Sequence, residues 1–301
     1  MIQRLDAATD TFLTDLASIK QRIARAQREV ASGRRINQAS DAPADLSTLM
    51  QLRTDLGQTI QIRSNLGRVQ TEVDTAEQSL ESAVKIMERA GVLGIQGANG
   101  TMTAEQRTIV AEEVESLLEQ MVGLARTQVD ARFVFSGDAD GQAPFTLDLT
   151  LDDPVSDYLG APATRQVMHP AGTAFQVGKT GEEIFDNPDP AKNVFQAINN
   201  LRLSLRADDS AGIEAALDQI LSVQTHLNSE LASYGTVQNQ VAEATDFAHK
   251  QELRLKARIS ELVDADMTEA ILALNQSTYQ QEVALSTKAK NQQISLFDFI
   301  G

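Results

Sequence analysis

Few residues in this chain have the type and spacing that chemistry needs. There is no cysteine, so neither a thiolate nucleophile nor a disulfide is available. His169, His226 and His249 stand apart, and none belongs to a His-Glu-x-x-His pattern, so no zinc hydrolase site is encoded. Asp138-Ala139-Asp140-Gly141 has the first carboxylates and the turn glycine of a calcium loop. The later ligands and the closing glutamate are missing, so a solvated turn is the expected reading. The acidic run Glu112, Glu113 and Glu115 reads as a solvated helix face, or as a partner for Arg53 or Arg63 of a neighbour. No catalytic residue, metal site or cofactor is expected, and the chain does not read as an enzyme.

What remains is helix. The chain has 301 residues, 42% of them hydrophobic but only 4% aromatic and none of them Trp, a composition that suits long packed helices better than a deep globular core. A formal net charge of -16 argues against nucleic acid and against an anionic membrane surface as partners, since both are polyanions. No segment approaches the roughly 20 apolar residues that span a bilayer. Met1 to Lys20 alternates charged and apolar residues and lacks the apolar core of a cleaved signal peptide, so export would take another route.

From Thr236 to Ile300 the chain carries neither Gly nor Pro, which predicts nearly continuous helix. Uninterrupted, it would run on the order of 95 Å at about 1.5 Å per residue. Its apolar residues Leu255, Ile259, Leu262, then Val263, Met267, Ala270, Leu274, then Leu285, Ala289 and Leu296 step mostly by three or four, with a slip at Leu262-Val263 and polar positions at Ser277 and Gln281. Its expected partner is the N-terminal heptad seam of Phe12, Leu16, Ile19, Ile23, Ala26 and Val30. That seam stops at Gly33, a left-handed C-cap, and Asp41 or Ser40 is expected to cap a new helix with Pro43 in its first turn. Gly33, Asn37, Asp41 and Pro43 therefore read as a hinge.

A longer seam from Ile62 to Ala90 follows, and the glycines of Gly91 to Thr103 are expected to break it, with Thr103 capping the return helix that carries Val110, Val114, Leu117 and Met121. Ser136 to Pro190 holds six of the seven prolines, and Phe145 to Leu151 and Thr173 to Val177 read as strands. Asp189 and Pro190 are expected to start the next helix, with Val194, Ile198, Leu201 and Leu205 on one face. The reading is a mainly α, elongated helical bundle with paired terminal coiled-coil helices and a small β-rich insertion at the tip. Its layers are a terminal assembly domain (1–45 and 250–301), a helical middle domain (46–135 and 190–249) and the insertion (136–189).

Ser32-Gly33-Arg34-Arg35-Ile36-Asn37, followed by Asp41-Ala42-Pro43-Ala44, resembles the signature of the bacterial flagellin superfamily, as does Gln96-Gly-Ala-Asn-Gly-Thr101 with its acidic helix. Ala131-Arg132-Phe133-Val134-Phe135-Ser136-Gly137 and the end Ser295-Leu-Phe-Asp-Phe-Ile300 are more similar to the hook-filament junction branch of that superfamily than to flagellin. Ala131 stands where that branch usually has Gly.

The resemblance implies a structural protein of the bacterial flagellum, extracellular, exported unfolded through the flagellar type III apparatus without a cleaved signal peptide. Its implied partners are copies of itself, the hook-side junction protein, flagellin and an export chaperone. Its terminal helices would fold on assembly, with apolar burial offsetting the lost chain entropy. Two other readings are a minor or short flagellin that builds the filament itself, and a secreted adhesive module that binds a ligand through the insertion.

Overall fold

The computed structural model describes residues 7–298, with side chains described for 9–290. It is mainly α-helical and divides into two compact units, a terminal unit of Met1–Gln58 with Gln251–Gly301 and a central unit of Thr59–Lys250. The helices are α1 (Ala7–Ser32), α2 (Leu46–Gly97), α3 (Ala104–Ala125), α4 (Gly181–Ile184), α5 (Val194–Arg206), α6 (Ser210–Val263) and α7 (Met267–Asp298). Two antiparallel hairpins accompany them, β1 (Gln128–Val129) with β2 (Arg132–Phe133), and β3 (Gln166–Met168) with β4 (Ala174–Gln176).

In the central unit the heptad stripe of α2 is the spine of the core. Leu66, Val73, Ala76, Leu80, Ala83, Met87 and Ala90 are all buried, and Val114, Leu118 and Met121 of α3 and Ile198, Leu201 and Leu205 of α5 close over them. The glycine run does not break α2 where it begins: the helix continues through Gly91 and Gly94 to Gly97. A Cβ at Gly94 would collide with Leu217 and one at Gly97 with Leu205, so these glycines let α2 approach α6 and α5 closely. Thr103 caps α3 as expected, in a box with Gln106 (Gln106 N–H to Thr103 Oγ1, 3.3 Å).

Asp189 and Pro190 do not start α5. Asp189 caps a short turn, its carboxylate accepting the Ala191 N–H (3.1 Å), and the helix begins at Val194 under Asn193, which accepts from Gln196 N–H (2.9 Å). Of the expected strands, Thr173 to Val177 contains β4, whereas Phe145 to Leu151 contributes only a bridge between Leu147 and Val155. Most of 136–189 is irregular, and its Phe145, Val177, Ile184 and Phe185 side chains join the helical core. Phe135, Phe145, Phe185 and Phe195 form one cluster, with Phe145 edge-on to Phe195 (4.9 Å between centroids) and Phe135 edge-on to Phe185 (5.3 Å).

Two buried arginines tie the turns to this core. Arg202 is 1% exposed and donates to Glu115 (2.8 Å), to Asn199 Oδ1 (3.0 Å) and to the carbonyl of Asp152 (3.2 Å). Arg107 donates to the Gly97 carbonyl (2.9 Å) and pairs with Asp208, joining the α2–α3 and α5–α6 turns. The acidic face of α3 is therefore used within the chain: Glu115 holds Arg202 and Arg206, and Glu113 holds Arg89 (2.5 Å).

Candidate functional site

The chemically suggestive residues of the sequence resolve into structure. Asp140 lies beside Arg132 (3.6 Å) and Arg165 (3.7 Å), cations that repel a metal ion. His226 meets the Ile184 carbonyl (3.2 Å), His169 accepts the Ala171 N–H (3.0 Å), and His249 is exposed. The distinctive site is in the terminal unit, where α1 and α7 meet.

There α1 and α7 pack antiparallel. On α1, Ile19 and Ala26 are buried and Phe12, Leu16, Ile23 and Val30 half-buried. On α7 the facing positions are Ala270, Leu274, Ser277, Gln281, Ala284 and Lys288, with Ala270 and Ser277 buried and the rest half-buried. Their steps of 4, 3, 4, 3 and 4 are a true heptad. Lys288 lies over the Phe12 ring (5.5 Å) and reaches the Thr9 hydroxyl (3.3 Å).

Of the expected C-terminal seam, Ala270 and Leu274 belong to this face, together with the polar positions Ser277 and Gln281. Met267 and Leu285 are exposed, because α7 starts a new register at Met267 and the apolar count carried over from α6 no longer applies. The side chain of Leu296 lies outside the described residues. Ile259 and Leu262 do not meet the α1 seam; they pack with Val263 against Ile36 and Leu49, while Leu255 is buried elsewhere on α6.

The register changes at Asp264 to Asp266, where two helices meet a third segment. Gly33, at φ +68°, turns the chain out of α1. Arg34 then pairs as a β-bridge with Asp264, Arg35 N–H donates to the Val263 carbonyl (2.7 Å), and Ala265 N–H donates to the Gly33 carbonyl (3.0 Å). The Arg35 guanidinium donates to the Leu262 carbonyl (2.8 Å), covering an orphan acceptor at the end of α6, and lies 3.4 Å from Asp45. Asp266 begins α7 by accepting the N–H groups of Thr268 (2.8 Å) and Glu269 (3.2 Å).

Asp41 does not cap forward into α2. Its carboxylate turns back to accept the N–H groups of Gln38 and Asn37 (2.9 Å each), which hold its pKa below the usual carboxylate value. Asn37 donates to the Arg34 carbonyl (2.8 Å). Pro43 is exposed in the loop before Leu46 rather than in the first turn of α2. The segment read as a hinge is thus an elbow bonded at both ends. The bonding role of Arg35, the cap at Asp266 and the place of Ala284 escaped sequence reasoning, although the Asp-x-Asp at 264–266 is a cap signal that needs neither Gly nor Pro.

The other sides of α7 are not paired in this way. At 100° per residue, Leu272, Tyr279 and Val283 fall opposite the face that meets α1, and they are 65%, 68% and 43% exposed. Helix α7 therefore carries two apolar stripes, of which one has a partner among the described residues.

Comparison with known proteins gives this arrangement a context. The family model for the bacterial flagellin N-terminal helical region matches residues 6–140, and that for the bacterial flagellin C-terminal helical region matches 217–300. Flagellar hook-associated protein 3 of Escherichia coli is 25% identical over 87% of this chain and 86% of its own length. The flagellar filament 30.7 kDa core protein of Treponema maltophilum is 24% identical over 88% of this chain and 87% of its own. The crystal structure of flagellar hook-associated protein 3 from Legionella pneumophila, 15% identical, shares the fold, with a TM-score of 0.62 over 71% of this chain and 98% of that one. The two family regions, one at each end of the chain, contain both halves of the α1–α7 pair and the elbow between them: this chain belongs to the bacterial flagellin family.

Proposed function

We propose that this protein is a structural subunit of the bacterial flagellum that acts as an adaptor between hook and filament and assembles through its terminal helices. The observation that carries this reading is the second apolar stripe of α7. A helix with apolar residues on opposite faces is built for the middle of a helical layer, and α1 covers one face only. Neighbouring copies, the hook-side junction protein and flagellin are the partners that would cover the rest. Export before folding, with a chaperone guarding the apolar termini, would place the subunit outside the cell as part of the flagellum.

The likeness to hook-associated protein 3 over most of both chains supports the junction rather than the filament. A strain lacking this chain should build hooks, lack filaments and release flagellin into the medium. Normal filaments in that strain would overturn the reading. A filament-forming subunit is the second reading, favoured by the likeness to the Treponema filament core protein. Purified protein that elongates into long filaments on seeds would support that reading, and addition of one short zone would support the junction role. An adhesive role for 136–189 has less support, because Phe145, Ile184 and Phe185 of that segment are wholly buried in the central core.

A further inference from the structure

The turn between α2 and α3 holds a pair of residues that assembly leaves without a task. Asn99-Gly100 is the only Asn-Gly pair in the sequence. Such a pair carries a reaction of its own, in which the glycine nitrogen attacks the asparagine carboxamide carbon, since no Cβ on the glycine obstructs the approach. Whether it proceeds in a folded chain depends on how the nucleophile, the carbonyl and the leaving amide are held.

Here each is arranged for it. Asn99 and Gly100 are both exposed, and among the described residues the Gly100 N–H has no hydrogen-bond partner. A Cβ built at Gly100 meets nothing within 4 Å, so the turn is open on that side. Asn99 Oδ1 accepts both the N–H (3.1 Å) and the hydroxyl (3.0 Å) of Thr101. Two donors on one carbonyl oxygen stabilise the negative charge that develops there when the carbon is attacked, as in an oxyanion hole. The Asn99 amide nitrogen has no partner among the described residues and faces no bond to break on leaving.

We propose that Asn99 is a site of spontaneous deamidation. The Gly100 nitrogen forms a bond to Asn99 Cγ, the Cγ–Nδ2 bond breaks, and ammonia departs with the proton of the Gly100 N–H, leaving a cyclic succinimide. Water then opens the ring at either carbonyl and yields aspartate or isoaspartate, so water is the one reagent consumed. The backbone carbonyl of Asn99 accepts the Met102 N–H (3.0 Å) and lies 3.4 Å from the Arg107 guanidinium. Those donors polarise it toward attack by water, which directs the opening to isoaspartate and leaves the new α-carboxylate beside Arg107. In that product the main chain is longer by one carbon, which loosens the turn that Arg107 ties to the Gly97 carbonyl and to Asp208.

The chain supplies its own control. Asn228 is followed by Ser229, the smallest residue after glycine to follow an asparagine here, but the pair lies inside α6. Asn228 Nδ2 donates to the Gln224 carbonyl (2.9 Å), and the helix fixes the backbone on both sides.

The test is to hold the purified, folded full-length protein in mildly alkaline buffer and map its peptides over time by mass spectrometry, with isoaspartyl methyltransferase labelling. Asn99 should convert at least tenfold faster than Asn228, with isoaspartate the main product. Conversion of Asn99 no faster than that of Asn228 would overturn the proposal, and this comparison needs no variant. Gly100→Ala, whose Cβ fits the open space, should slow conversion at Asn99 at least tenfold; an unchanged rate would also overturn it. Thr101→Val removes the hydroxyl donor and should slow conversion in the folded chain but not in the denatured chain. Equal slowing in both, or in neither, would overturn the part assigned to Thr101. These readouts concern the isolated chain, so they stand apart from the flagellar reading and its deletion strain.

Discussion

The central and terminal units use the same device, a heptad stripe on a long helix, and fill it differently. In the central unit the stripe is Leu66, Val73, Leu80 and Met87, closed over by helices and by four phenylalanines, with buried arginines bonded in every direction they point. In the terminal unit the stripe of α7 reads Ala270, Leu274, Ser277, Gln281, Ala284 and Lys288, against α1 only among the described residues. Apolar burial drives folding roughly in proportion to area; the first seam mixes large apolar residues with Ala76, Ala83 and Ala90 but stays apolar, whereas the second places polar groups at Ser277, Gln281 and Lys288. The difference teaches that a heptad repeat specifies where a helix will pack, whereas the volume and polarity along it decide whether one partner is enough.

The largest expected break in the comparison is Phe185→Ala. It empties the centre of the phenylalanine cluster and should cost about 3–5 kcal/mol in the central unit, read as a lowered unfolding midpoint of the full chain. A terminal-unit counterpart, Ile19→Ala, should shift that midpoint far less. Conversely, Ser277→Leu should strengthen the α1–α7 pair by about 1 kcal/mol, read as increased helical signal in the isolated, unassembled protein. An unchanged or lower signal would mean that polarity at Ser277 is not what limits this seam.

Ala131 allows a smaller and sharper test. Asp130 and Ala131 form the two-residue turn of the β1–β2 hairpin with φ of 50° and 62°, the left-handed region in which alanine is strained. Ala131→Gly should therefore stabilise the central unit by about 1 kcal/mol, and no effect on the terminal unit is expected. Gly33→Ala, at φ +68° with open space around its Cβ, should do the reverse, costing about 1 kcal/mol in the terminal unit through backbone strain alone.

The smallest effects lie at the extremes of pH and separate the units again. Burial, with Glu182 and Glu183 nearby, pushes the Tyr158 hydroxyl up to about 12, and that hydroxyl donates within the central unit to the carbonyls of Phe135 (3.0 Å) and Ala161 (3.2 Å). A raised value means that stability present below about pH 10 is lost as pH climbs through about 12, so alkaline titration should loosen the central unit. Tyr158→Phe should remove that dependence. Asp41 has the opposite sign: its lowered value makes the elbow stable above the usual carboxylate range and weaker as pH falls below 3.8, which Asp41→Asn should flatten.

The helices were legible because period is a local property. The α2 stripe from Leu66 to Ala90 could be counted from the chain alone, and so could the Thr103 cap and the α1 seam. Three things were not. Gly94 and Gly97 read as breakers, because a glycine that breaks a helix and one that admits a neighbour look alike until Leu217 and Leu205 are in place. The break at 264–266 and the continuation of the α7 face through Ala284 and Lys288 rather than Leu285 were not legible, because the interruption uses aspartate caps and its bonds to Gly33 and Arg35 come from the distant N-terminal part of the sequence. The aromatic core was hidden because Phe145, Phe185 and Phe195 are scattered through turns and helix with no period to mark them.

The bridge between Arg34 and Asp264 also sets an order of events. A chain delivered from its N-terminus presents α1 before α7, so the latch at Gly33 cannot close until residues 263–265 have arrived. A prematurely ended chain would complete much of its central core and still carry α1 with its Phe12–Val30 face open. The α1 face and the α7 face thus depend on each other across the length of the sequence between them.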